Sequence, residues 1–101
     1  MFGLLDRDMK YILEAIGELE EIESVILFGS RAMGNYKKGS DVDIAVVGKD
    51  VKIETISKLS ESLNEIYPLP LFFDVINYGE ISNDKLKEHI DTYGIEIYER
   101  E

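Results

Sequence analysis

Two short apolar runs with a polar loop between them constrain this chain more than any other feature. Val25 to Phe28 (VILF) stops at Gly29-Ser30, and Ile44 to Val47 (IAVV) starts directly behind Ser40-Asp41-Val42-Asp43. Aliphatic runs of this length, bounded by turn residues, read as strands buried in a sheet that other elements must cover. Along a strand, residues two apart leave on the same side, so Asp41 and Asp43 project together at the head of the second strand.

Two adjacent carboxylates repel each other, and a divalent cation offsets their charge better than any other partner. Oxygen donors suit Mg²⁺ or Mn²⁺, and Mg²⁺ is commonly held by one or two carboxylates plus waters and substrate phosphates. A phosphorylated substrate is therefore expected. Gly29-Ser30 supplies its seat: a glycine behind a strand allows close approach of the backbone, and a serine opening a short helix offers its hydroxyl and free N–H groups to an anion. The competing reading is an ordinary Gly-Ser turn followed by a solvated acidic strand end.

Gly29, Ser30, Arg31, Gly34, Ser40, Asp41 and Asp43 spell GSRAxG…SDxD, with ten residues between Ser30 and Asp41. This pattern resembles the signature of the DNA polymerase β-like nucleotidyltransferase superfamily. In size and wording the chain is most similar to its minimal nucleotidyltransferase (MNT) branch, often paired with a HEPN-domain protein. The closing GIEIYER, Gly94 to Arg100, is similar to the ends of those proteins, so the resemblance covers nearly the whole chain. One departure is Met33, where many members carry arginine.

The resemblance implies an α/β fold, a small mixed β-sheet with helices packed on one side and the site at the open end of the first three strands. It implies Mg²⁺-dependent transfer of a nucleoside monophosphate from an NTP, AMP from ATP in particular. Asp41, Asp43 and Asp74 are then the catalytic and metal-binding residues, holding two Mg²⁺ ions with Mn²⁺ as a substitute, and Gly29, Ser30 and Arg31 meet the nucleotide. The implied acceptor is a hydroxyl of a partner protein, a HEPN-domain toxin, which makes the chain an antitoxin and a hetero-oligomer one of its forms. Two rivals stand beside this: modification of a small molecule of the aminoglycoside type, and a non-catalytic nucleotide-binding module that neutralises its partner by contact.

At 101 residues one domain, residues 1–101, is expected, with one core and no second substrate-binding lobe. The formal charge of -10, from 21 acidic and 11 basic residues, sets up a field that repels nucleic acid and anionic membranes, which argues against template-directed synthesis. Arg31, Lys37 and Lys38 interrupt that acidity near the motif, either to meet a triphosphate or merely as a solvated loop. There is no cysteine, hence no disulfide, thiol nucleophile or thiolate zinc site. No apolar run approaches the ~20 residues of a membrane span and the N-terminus has no leader pattern, so a cytoplasmic protein is the default expectation.

The remaining elements read in order. Ile12, Ala15, Ile16 and Leu19 recur at helical spacing from about Asp8 to Glu21, with glutamates off that stripe. A second helix runs from the Gly48 turn to Pro68 on Ile53, Ile56, Leu59, Leu63 and Ile66. Leu71 to Ile76 reads as a third strand, yet Asp74 lies inside it. A carboxylate there calls for a partner, and it is the natural third metal ligand; a lysine pair or a sheet edge would also explain it. Ser82 is read as the N-cap of a last helix ending at Gly94, with Ile95 to Tyr98 a final strand. His89, the one histidine, reads as an ordinary surface or half-buried side chain rather than a catalytic base.

Overall fold

The computed structural model describes residues 1–101 and shows a four-stranded mixed sheet flanked by helices. In chain order the elements are α1 (Asp6–Gly17), β1 (Ser24–Phe28), a one-turn α2 (Ser30–Met33), β2 (Val42–Val47), α3 (Ile53–Glu61), β3 (Phe73–Asn77), α4 (Asp84–Tyr93) and β4 (Ile95–Glu99). The strand order is β3-β2-β1-β4. β1 runs antiparallel to β2 and β4, while β2 and β3 are parallel and are joined through α3, the kind of long connection that a parallel pair requires. No helix is long and apolar enough to cross a membrane.

Strand alternation sorts the side chains onto two faces. Val25, Leu27, Val42, Ile44, Val46 and Phe73 point to the larger core, where Ile12, Ala15 and Ile16 of α1 and Leu59 and Leu63 of the α3 segment cover them. Phe28 and Ala45 point the other way and meet Ile90 of α4, with Ile26, Ile76 and Leu86 around them. The mixed sheet is the one expected, but the helices divide: α1 and α3 cover one face and α4 the other. Asp43 and Asp74 share the face of Ala45 and Ile76 by the same alternation, so α4 packs on the side that carries the carboxylates.

The α3 stripe departs from simple helical periodicity at both ends. The helix continues into a wide π turn, Ser62–Ile66, and the extra residue per turn rotates Ile66 into solvent, where it is 65% exposed. Ile53 is also exposed, because Thr55 takes the inward position of the first turn and its hydroxyl donates to Glu21 Oε2 at 2.7 Å. The π turn presents Asn64 to the outer edge of β3: its Nδ2 donates to the Phe73 carbonyl and its Oδ1 accepts the Phe73 N–H, at 3.0 and 2.7 Å. At α4 the N-cap is Asn83 rather than Ser82, its Oδ1 accepting from the N–H groups of Lys85 and Leu86.

Candidate active site

The end of β1 sets the local geometry. Phe28 pairs with Asp43, so the strand stops beside the carboxylate, and Gly29 follows with φ +76° and ψ -155°, a region open essentially to glycine alone. A Cβ on Gly29 would collide with Asp43 Oδ2, which shows how closely this backbone passes the aspartate. The Gly29 carbonyl accepts the Met33 N–H and so starts α2, with Ser30 its first residue. Gly34, at φ +84°, ends that single turn.

β2 and β3 bring the acids together. In the parallel ladder Asp43 stands opposite Asp74, flanked by the rungs Val42–Phe73 and Ile44–Val75. Asp41 lies just ahead of β2, exposed, two residues from the half-buried Asp43. Asp74 is exposed on a sheet-edge strand rather than enclosed in the core, which is how an acid is accommodated within an apolar strand. The Asp43 carboxyl is pushed above its ordinary range, first by burial and then by the charges of Asp74 and Asp41, with His89 acting in the opposite direction.

No lysine or arginine pairs with these acids. The one ion pair in the molecule, Arg7 with Asp8 at 3.8 Å, lies on α1. As they stand, the acids do not close into a three-ligand cluster at coordination distance. The donor set is nevertheless hard carboxylate oxygen, partly exposed and beside a bare peptide backbone, which fits Mg²⁺ or Mn²⁺ completed by waters and phosphate oxygens.

Arg31 takes a different place from the one expected beside the nucleotide. It is 3% exposed, with Nε and Nη2 both donating to the Ser40 carbonyl at 3.1 and 2.8 Å and Nη1 donating to the Phe2 carbonyl at 2.9 Å. Its guanidinium also lies over the Tyr36 ring, 5.3 Å from the centroid. It therefore straps the loop that delivers Asp41 to α2 and to the N-terminal turn. Lys37 and Lys38 are exposed on that loop, whose bend is closed by the Lys37 N–H donating to Ser40 Oγ at 2.8 Å. Met33, at the end of α2, is 48% exposed.

His89, expected as a surface or half-buried side chain, is half-buried and reaches the glycine turn, a contact the sequence did not foreshadow. From α4 its Nε2 accepts the Gly29 N–H at 3.2 Å, sixty positions away in the chain. The imidazole is half-buried, edge-on to Phe28 with ring centroids 6.2 Å apart and tilted against Tyr93 at 5.5 Å. Only its place one residue before the inward-facing Ile90 hinted that it would border the sheet.

A model of the family described as "Polymerase beta, Nucleotidyltransferase" matches residues 10–101. Over 82 residues the chain is 27% identical to a Methanocaldococcus jannaschii protein provisionally named protein adenylyltransferase MJ0141, a match covering 77% of this chain and 81% of that one. A chain from the crystal structure of a toxin-antitoxin with AMP-PNP superposes with a TM-score of 0.76 at 21% identity, covering 96% of this chain and 76% of the other. A chain of the toxin-antitoxin MntA-HepT structure does so with a TM-score of 0.70 at 18% identity, covering 95% and 74%. At such identities the two superpositions speak for the fold. The Gly-Ser turn, the three acids and every strand of the sheet lie within the matched residues, and this chain belongs to the polymerase beta nucleotidyltransferase family.

Proposed function

We propose that this chain transfers AMP from ATP to a hydroxyl group of a partner protein, and that the partner is a toxin of the HEPN-domain class which the transfer neutralises. The observation that carries the reading is the rung shared by Asp43 and Asp74, with Asp41 two residues from Asp43 and the Gly29 backbone packed against it. In the reaction the acceptor oxygen bonds to the α-phosphorus, the bond from that phosphorus to the bridging oxygen breaks, and pyrophosphate leaves as the hydroxyl proton passes to solvent.

Asp41 and Asp43 are the residues that would hold the two Mg²⁺ ions, and Asp74 would serve the activation of the acceptor hydroxyl. When bound, the ions neutralise phosphate charge and make the acceptor hydroxyl more acidic. Ser30 and the N–H groups opening α2 hold the phosphates. Arg31 contributes through the loop it straps, keeping Asp41 in line with Asp43. Most of the acceleration then comes from orientation and charge neutralisation.

A protein acceptor is supported by the names of two relatives, the protein adenylyltransferase and the toxin-antitoxin crystallised with AMP-PNP. It is supported also by the exposure of Asp74 on the open sheet edge, where a large acceptor can reach it. The charge of -10 favours a basic partner surface, so the complex should weaken as salt rises. The deciding experiment incubates the chain with labelled ATP, Mg²⁺ and the protein encoded beside it. An AMP added to a hydroxyl of that neighbour, and missing with Asp41→Asn/Asp43→Asn, is the expected result. Label carried only by an added small molecule, or neutralisation that survives loss of the aspartates, overturns the proposal.

A further inference from the structure

We infer that His89 is a positioning residue for the nucleotide turn, fixing the Gly29 peptide from the opposite end of the chain. This rests on the reading of Gly29-Ser30 as the phosphate seat. Gly29 has no side chain to limit its conformation and occupies a backbone region that leaves much freedom to be restrained. Both of its polar groups are nevertheless engaged. The carbonyl accepts from Met33 N–H at 3.1 Å and the N–H donates to His89 Nε2 at 3.2 Å. The first bond belongs to α2 itself, so His89 supplies the hydrogen bond to Gly29 that comes from outside the turn.

The imidazole is well suited to the task. Acceptance at Nε2 places the ring proton on Nδ1, so the side chain serves as an acceptor for the turn. Phe28, edge-on, and Tyr93, tilted, both pack near the ring and limit its rotation. The next residue, Ile90, is 1% exposed and seated between Phe28 and Ala45, which ties α4 to the strands carrying the site. The placement of α4 on the carboxylate face is thereby transmitted to one peptide, and that peptide determines where Ser30 begins its helix. His89 acts through Gly29 and needs no contact with the reacting atoms.

The substitution that isolates the bond is His89→Phe, which keeps an aromatic ring near Phe28 and Tyr93 and removes the acceptor. His89→Gln restores an acceptor near the position of Nε2. With His89→Phe, ATP affinity in the presence of Mg²⁺ should fall about tenfold, the worth of one net hydrogen bond, and the Gly29 amide should exchange faster with solvent. His89→Gln should recover both, while the unfolding midpoints of the two variants stay alike. In the unaltered protein, imidazole ¹⁵N shifts should report the Nδ1–H tautomer, a measurement that holds even where a variant folds poorly. An Nε2–H tautomer, or equal nucleotide affinity in the Phe and Gln variants, overturns the role of His89 while the proposed reaction stands. Failure of the unaltered protein to bind ATP overturns the reaction, and with it any part for His89 in it.

Discussion

Asp43 on β2 and Asp74 on β3 occupy the same rung of a parallel ladder, so their carboxylates leave the sheet on the same face from adjacent strands. Like charges so placed destabilise a sheet unless something neutralises them. The arrangement makes the metal-free protein store repulsion that a divalent cation can release.

The pH dependence of stability should show this. Burial foremost, then Asp74 and Asp41, hold the Asp43 carboxyl above its ordinary value of 3.8. Between 3.8 and that raised value the folded protein binds more protons than the unfolded chain. The Asp43 contribution to stability therefore increases as pH falls through the raised value and is lost as pH rises through it. Asp43→Asn should remove this slope and stabilise the metal-free protein at pH 7 by about 0.5 kcal/mol. Urea unfolding of both proteins from pH 4 to 8 in chelator measures the difference; an aspartate variant less stable than the parent at pH 7 contradicts it.

Asp74→Asn should separate binding from turnover. In the proposed site Asp41 and Asp43 would suffice to hold the ion on the triphosphate, so ATP affinity should change no more than a few-fold. Transfer should fall by about a hundredfold or more, as when one preorganised transition-state contact is lost. Calorimetry with ATP and Mg²⁺ beside single-turnover transfer provides the two numbers. Parallel losses in both would place Asp74 on the triphosphate ion instead.

Gly29→Ala tests the close approach of backbone and carboxylate. The added methyl meets Asp43 Oδ2, and the positive φ is costly for any L side chain. A stability loss of about 1–2 kcal/mol from the backbone alone is expected, with nucleotide binding abolished as Asp43 is displaced. Gly34→Ala is the control: its φ is also positive, but nothing lies within 4 Å of an added Cβ, so it should lose stability and retain nucleotide binding.

Arg31→Lys distinguishes a strap from a phosphate contact. A lysine cannot reproduce the fork on the Ser40 carbonyl together with the bond to the Phe2 carbonyl. A stability loss of about 1–3 kcal/mol is expected, with a smaller effect on ATP affinity exerted through Asp41. Unchanged stability with collapsed ATP affinity would return Arg31 to the phosphates.

The strands, and the placement of Asp41 and Asp43 at the head of β2, were legible because their signals are local: an apolar run with a glycine at its end, and aspartates at i and i+2. The family pattern added Asp74, which periodicity alone left open between a ligand and an edge residue. The sequence is silent on which face each helix takes, since Ile90 and Leu86 read as an inward stripe whichever side of the sheet they cover. The bond made by His89 is illegible for the same reason: its partner is a backbone N–H sixty residues away, and a backbone group leaves no trace in composition. The carbonyl partners of Arg31 are not legible in the sequence, because a guanidinium beside a glycine turn suits an anion and a pair of carbonyls equally well. The exposed Ile66 follows from a π turn, which a stripe counted at 3.6 residues does not anticipate.

The Asn64 side chain that grips Phe73 gains importance from where β3 lies. β3 has a neighbour on one side only, and its other edge at Phe73 is satisfied by a single amide fork. Edge elements of this kind open by themselves at a free energy below that of global unfolding. Asp43 sits on a strand paired on both sides and Asp41 just ahead of it, whereas Asp74 sits on a strand paired on one side only. The acid on β3 is thus held to the sheet by fewer strand neighbours than the acid on β2. A divalent cation shared by Asp43 and Asp74 would tie this edge strand to its neighbour, and amide exchange along β3 should then slow when Mg²⁺ and ATP are added.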